Sequence, residues 1–274
     1  MQQLERWLYD HQGAYPRSRL DGFRSAGGWS HAVLGGLCVW ALAALLSFVA
    51  ELGRLDIVDR ISAGDTVSID QASQSDAFVQ LSAVIDIAAF VLTGIAFLFW
   101  LHRVAVNNAV LGALPGRFTP RSAVGMWFIP LVDLVMPLLV VREAWRAADP
   151  MRLHSTFEER RRVRVPWFVS VWWMVFLAAS FVTYAAGLAA TGVTNPLEAL
   201  HNTSMTVLAG IGLAWIAALF AMVTVIQLTR RQEAKVYALE LAFAGAAQPP
   251  PEPEVALRGV PAAHLQPLTS TQEA

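Results

Sequence analysis

Five stretches of this chain are each long and apolar enough to enter a lipid bilayer, and this limits the fold more than any other feature. A spanning helix needs about 20 apolar residues. The stretches are 32–50 (AVLGGLCVWALAALLSFVA), 77–101, 122–141, 166–191 and 204–229. Three carry no charge; the second holds Asp86 and the third holds Asp133. None alternates with the period of a strand, so helices are the expected spanning form. The expected fold is all-α and integral to the membrane, with the membrane domain over 30–235. Residues 1–29 form an N-terminal segment, and 245–274 form a tail.

The composition agrees. The chain is 55% hydrophobic and 15% charged, where a soluble domain carries about a quarter of its residues charged. A net charge of −1 argues against a nucleic-acid partner. Cys38 is the single cysteine, so no intrachain disulfide and no cysteine pair for a metal is expected. Residues 1–29 mix Glu5, Asp10, Arg17, Arg19, Asp21 and Arg24 among apolar positions, unlike a cleavable signal. The first apolar run is expected to stay as an anchor. Lys235 is the one lysine among 20 basic residues, a bias typical of GC-rich bacterial genomes.

The basic residues orient the runs. Cytoplasmic loops are enriched in Arg and Lys. If 122–141 enters and leaves on one face, every basic residue near a run falls on that face except Arg54 and Arg60; Arg258 is too distant from the runs to count. If it crosses, the arginines divide far more evenly between the two sides. The expectation is therefore four full spans with both termini cytoplasmic, and 122–141 as a re-entrant or interfacial segment. Its two prolines agree, because each removes a backbone donor and clashes with the carbonyl four residues earlier. Pro130 is expected to free the carbonyl of Met126, and Pro137 that of Asp133. A proline-kinked fifth span is the alternative. Trp100, Trp167, Trp172 and Trp173 lie near span ends and are expected to form an interfacial belt. Gly35, Gly36, Gly210 and Gly212 are expected to permit close helix packing.

Outside the runs, 51–76 reads as an acidic solvated loop, and 155–164 (STFEERRRVR) as a short basic helix with Ser155 and Glu158 at capping-box spacing. The Pro- and Ala-rich tail from about 245 is expected to be disordered, with its PPPEP stretch in polyproline II.

The stretch 117–150, RFTPRSAVGMWFIPLVDLVMPLLVVREAWRAADP, carries Arg117, Pro120, Gly125, Trp127, Phe128, Pro130, Pro137, Glu143 and Trp145. Upstream stand Trp100, Arg103 and Asn107. This pattern resembles the domain of unknown function 4328 family of bacterial membrane proteins, with a looser likeness over about 35–230. Asp133 departs from the pattern, standing where the family resembles an asparagine. The resemblance implies a membrane location and carries no established activity.

The candidate functional residues are few. Asp86 and Asp133 are acids inside apolar runs, where ionisable groups are costly and mark ion or solute paths. Asp86 has Ser180 or Thr183 as hydroxyl partners across helices. Asp133 has Arg121, Arg142 or Arg146 for an ion pair, or serves as a helix-end cap. Glu143 and Trp145 are expected on an amphipathic interfacial helix with Trp145 at headgroup depth. His31 and His102 lie at span ends without any haem-attachment motif, and no catalytic or nucleotide-binding fingerprint is present. No cofactor and no catalytic residue is therefore expected. The leading function is a scaffold that binds a protein partner through its basic loops and tail. The alternative is a small channel or transporter subunit with a polar path through Asp86 and Asp133.

Overall fold

In the computed structural model, the described residues are 17–111, 118–152, 157–190 and 194–246. Among them helix is the regular structure, joined by turns, and strands are absent. The elements are α1 (Gly27–Ser62), α2 (Ile69–Val110), α3 (Pro120–Gly125), α4 (Met136–Ala147), α5 (Phe157–Arg161), α6 (Trp167–Ala190) and α7 (Pro196–Ala246). Short 3₁₀ turns cover Arg17–Gly22 and Met126–Phe128. Four helices, α1, α2, α6 and α7, are long and apolar enough to cross a bilayer. The run 122–141 is not one of them. The expected tail and the Ser155–Glu158 capping box lie outside the described residues or side chains.

The four helices run far beyond their apolar runs. What reads as an acidic loop at 51–76 is mostly the end of α1 and the start of α2, joined by only 63–68. An apolar run marks where a helix can meet hydrocarbon, whereas the helix itself continues wherever backbone and side chains allow. Arg60 and Asp56 face each other at i,i+4, 3.9 Å apart, on this extension. Gly64 then takes φ +88, and Asp65 N–H reaches back to Arg60 O at 3.0 Å, so the helix ends in a left-handed turn that suits glycine. Ser68 and Gln71 form a reciprocal capping box that starts α2. At the other end of the chain, α7 carries on through Leu239 and Ala242, which pack with Leu111, Leu20 and Phe23 into a small second core.

The long helices make an antiparallel array in which α1 packs against α2 and α7, and α7 packs against α6. Two of the predicted small residues sit at close approaches. A Cβ on Gly36 would lie 2.9 Å from Thr93 Oγ1, and one on Gly210 would lie 2.6 Å from Thr183 Oγ1. Gly35 and Gly212 face open space instead. α2 and α6 face each other across the array mainly through rings. Phe97 lies 5.7 Å from Trp172, and Phe90 lies 6.3 Å from Phe176, while Trp127 of the broken segment adds a ring 5.1 Å from Phe97.

The expected tryptophan belt is not formed as such. Only Trp167 points outward, at 68% exposed, while Trp100, Trp172 and Trp173 are buried. Each buried indole has apolar neighbours that outweigh its one polar atom. That atom is satisfied in two cases: Trp100 Nε1 donates to Thr229 Oγ1 at 3.0 Å, and Trp173 Nε1 to Leu134 O at 2.8 Å.

The broken segment is helix, turn, helix. Thr119 caps α3, with Ser122 N–H bonded to its Oγ1 at 3.1 Å, and Pro120 occupies the first turn. Ile129 is extended, as a residue before proline should be, and Leu131 takes φ 66. Pro137 corrects the expectation for its own position. It stands in the first turn of α4, where no donor is required, and so starts a helix instead of breaking one. With 12 residues, α4 is about 18 Å long, too short to cross a hydrocarbon core of about 30 Å.

Candidate functional site

The array leaves a cleft between α2 and α6, floored by α1 and α7, toward the end where α1 meets α2. It holds a cavity of about 590 Å³. Two carboxylates from different helices line it: Asp86 of α2 and Glu51 of α1. Their surroundings differ. Glu51 is 5% exposed and well partnered. Ser204 Oγ donates to its Oε2 at 2.6 Å, and Arg54 lies 3.5 Å from its Oε1 while also reaching Asp76 at 3.6 Å. Asp86 makes no ion pair among the described residues; its buried Oδ1 makes no regular hydrogen bond, and the neutral donor facing it is the Trp40 indole.

Two further polar groups face the cavity unsatisfied. Trp40 is 8% exposed and its Nε1 is directed at Asp86 without forming a regular hydrogen bond; Ser47 is 9% exposed and its Oγ has no partner. Buried polar atoms normally find a partner. A carboxylate with only a loosely placed neutral donor beside it, and a hydroxyl without a partner, leave this space able to hold a polar or charged guest, or water. The hydroxyls proposed as partners of Asp86 are engaged elsewhere. Ser180 Oγ donates to Phe176 O at 2.9 Å and Thr183 Oγ1 to Ala179 O at 3.0 Å. Both still line the cavity.

The other candidates lie apart from Asp86. Asp133 sits in the turn before α4, partly exposed, with its N–H bonded to Ile129 O at 3.0 Å. Neither the expected ion pair nor the helix cap forms: among the described residues it has no salt bridge, and α4 begins without a side-chain cap. It is not among the residues lining the Asp86 cavity, and the rings of Phe90, Phe97, Trp127, Trp172 and Trp173, around a small pocket of their own, stand between that cavity and the broken segment. Pro130 and Pro137 shape that segment and face neither carboxylate of the cavity.

Arg103, Glu143 and Trp145 belong to a second polar cluster at the opposite, arginine-rich end. Arg103 Nε donates to Arg24 O at 3.1 Å, and burial, with the nearby charge of Arg24, pushes the guanidinium pKa down. Glu143 lies 3.7 Å from Arg160. Trp145 does not lie outward as an interfacial residue would; it is 6% exposed, stacked under Arg231 at 5.1 Å and edge-on to Phe168. Around it, Gln232 donates to Val104 O and Asn108 Oδ1 and accepts from Asn107, and Lys235 Nζ donates to Ala147 O at 2.8 Å. Asp149 bonds Arg231 at 3.0 Å. This cluster joins α2, α4 and α7 through these long-range bonds and so acts as a fastening, although Arg103 Nη2, Asn107 Oδ1 and Arg146 Nε are buried in it without a hydrogen-bond partner.

A family model described as Domain of unknown function (DUF4328) matches residues 63–230. The chain belongs to the DUF4328 family. No curated protein and no solved structure matches it. The DUF4328 match includes Asp86, the aromatic cluster and the broken segment. The α1 wall of the cavity, with Trp40, Ser47 and Glu51, lies before it, and Gln232 and Lys235 lie after it.

Glu51 and Ser47 were missed by reading the sequence, because a charge at the polar end of an apolar run looks solvated. The available signal was the spacing Ser47, Glu51, Leu55, Val58, a helical stripe that is buried throughout.

Proposed function

We propose that this chain is a multi-pass membrane protein that binds a small cation between its helices, as a channel or transporter subunit does. In this reading α1, α2, α6 and α7 cross the bilayer. The broken α3–α4 segment enters and leaves on the arginine-rich, cytoplasmic side, where both termini also lie. The large apolar residues left exposed along the four helices, such as Leu42, Leu92, Phe181 and Leu219, support lipid contact, since such a girdle in water would be an aggregation surface. Labelling tests the topology. With Cys38 replaced, single cysteines at 110 and 155 should react from the same face in intact cells, and reaction from opposite faces would overturn the re-entrant placement.

The observation that carries the cation reading is the buried Oδ1 of Asp86, without a regular hydrogen bond, in a cavity shared with Glu51. An ionised carboxylate in an apolar surround needs a counter-charge. Arg54 supplies one to Glu51, and Asp86 has none. Asp133 is not part of this path. The test uses the full chain in nanodiscs with ethylammonium as probe. Wild type should bind it, and Asp86→Asn should weaken binding at least tenfold while melting as a folded protein. Equal binding by the two would end the cation reading and return the scaffold reading to first place.

A further inference from the structure

The cavity around Asp86 does not end at its own walls. Trp40, Phe90 and Phe176 also line a second, smaller pocket of about 100 Å³, closed on its far side by Phe97, Trp127 and Trp173. Trp40 and Phe90 meet at 5.6 Å, Trp173 and Phe176 at 5.3 Å, and Trp127 and Trp173 at 5.4 Å. The two spaces therefore share a ring-lined boundary, with carboxylates on one side and aromatic faces on the other. Resting on the cation reading above, we infer that the ligand is an arylalkylammonium: a protonated amine held at Asp86 and Ser47, with a flat apolar group inserted among the rings.

Each half of that chemistry has its own support. Asp86 Oδ1 and Ser47 Oγ are buried acceptors without a regular hydrogen bond, Asp86 having only the neutral Trp40 indole beside it, and an ammonium with N–H bonds satisfies both and supplies the counter-charge, where a quaternary ammonium donates to neither. A bare inorganic cation would leave the aromatic pocket unused. That pocket has the volume of about three water molecules at ~30 Å³ each, enough for one ring or a short branched chain, and its walls are ring faces that hold an aromatic guest in offset or edge-on contact. Asp86 and Phe90 are one helical turn apart, a rise of about 6 Å along α2. A two-carbon linker between nitrogen and ring matches that separation.

Gly94 provides the test. It lines the aromatic pocket, and a Cβ there meets nothing within 4 Å, so a leucine side chain has room to fill the pocket from a helical position. Binding of 2-phenylethylammonium, ethylammonium and 2-phenylethanol would be measured on the full chain in nanodiscs, with wild type, Gly94→Leu and Asp86→Asn. Wild type should prefer 2-phenylethylammonium over ethylammonium by at least tenfold, from burial of the ring. Gly94→Leu should erase that preference and leave ethylammonium binding intact, and Asp86→Asn should weaken both amines while sparing the neutral alcohol. Ethylammonium binding that depends on Asp86, without any preference for the ring or with a preference that survives Gly94→Leu, would overturn the arylalkyl class and leave the cation reading standing. Absence of binding by both amines to wild type would overturn the two together.

Discussion

Gln232→Ala should destabilise the folded chain by about 2–4 kcal/mol and lower its melting temperature in detergent by several degrees. The side chain is 1% exposed. Its amide donates to Val104 O at 2.8 Å and to Asn108 Oδ1 at 2.7 Å, and its Oε1 accepts from Asn107 at 3.3 Å. Truncation orphans Asn108 Oδ1, while Asn107 Nδ2 keeps Arg24 O at 2.9 Å and Val104 O keeps its place in the helix. A buried group so orphaned costs about 1–3 kcal/mol, and the lost packing adds to this. A thermal melt followed by tryptophan fluorescence measures the effect. A variant that melts with wild type would show that the α2–α7 fastening at Asn107, Asn108 and Gln232 is dispensable.

The second large effect concerns Lys235. It is 1% exposed and stands six residues beyond the apolar run of α7. Burial lowers its pKa to about 8; Asp149 opposes this, and Arg160 and Arg231 reinforce it. In the unfolded chain a lysine titrates near 10.4. Between about pH 8 and pH 10.4 the unfolded state therefore binds more protons than the folded one, and stability must rise with pH across that window. The full cost of burying the charge is present below about pH 8 and is gone above about pH 10.4, a difference of about 3 kcal/mol. Lys235→Met keeps the packed stem and removes the titration. The melting temperature of wild type minus that of Lys235→Met should climb from pH 7.5 to pH 10.5, with the variant the more stable at the low end. A difference that stays level over this range would refute the buried, depressed ammonium.

Some of this site was legible without a structure. Asp86 stands out because it is the one charge in a run of 25 residues, and a lone acid at that depth has no solvated explanation. Glu51 has one: Arg54, Asp56 and Asp59 follow it, so it blends into a polar segment although α1 buries it. Asp133 looked equal to Asp86 by the same criterion. It differs because the run around it is not a spanning helix, and a turn residue can reach solvent where a mid-helix residue cannot. Trp145 looked interfacial because it lies among Arg142, Glu143 and Arg146. Its position on α4 instead turns it toward Arg231 and Phe168, away from those charges.

The sequence by itself determined four long apolar helices, a broken segment around Pro130 and Pro137, and the membership signalled by those paired prolines. These depend on local quantities: the summed hydropathy of a run, and the missing donor and fixed φ of proline. Tertiary structure alone decided which polar groups are buried and which of them remain unpartnered. Burial depends on the neighbour that covers a helix face, and here the neighbours are distant in the chain: Thr229 for Trp100, Ser204 for Glu51, Gln232 for Asn107. A helical stripe can be read from spacing, but the cleft between α2 and α6 exists only once the four helices have chosen their partners.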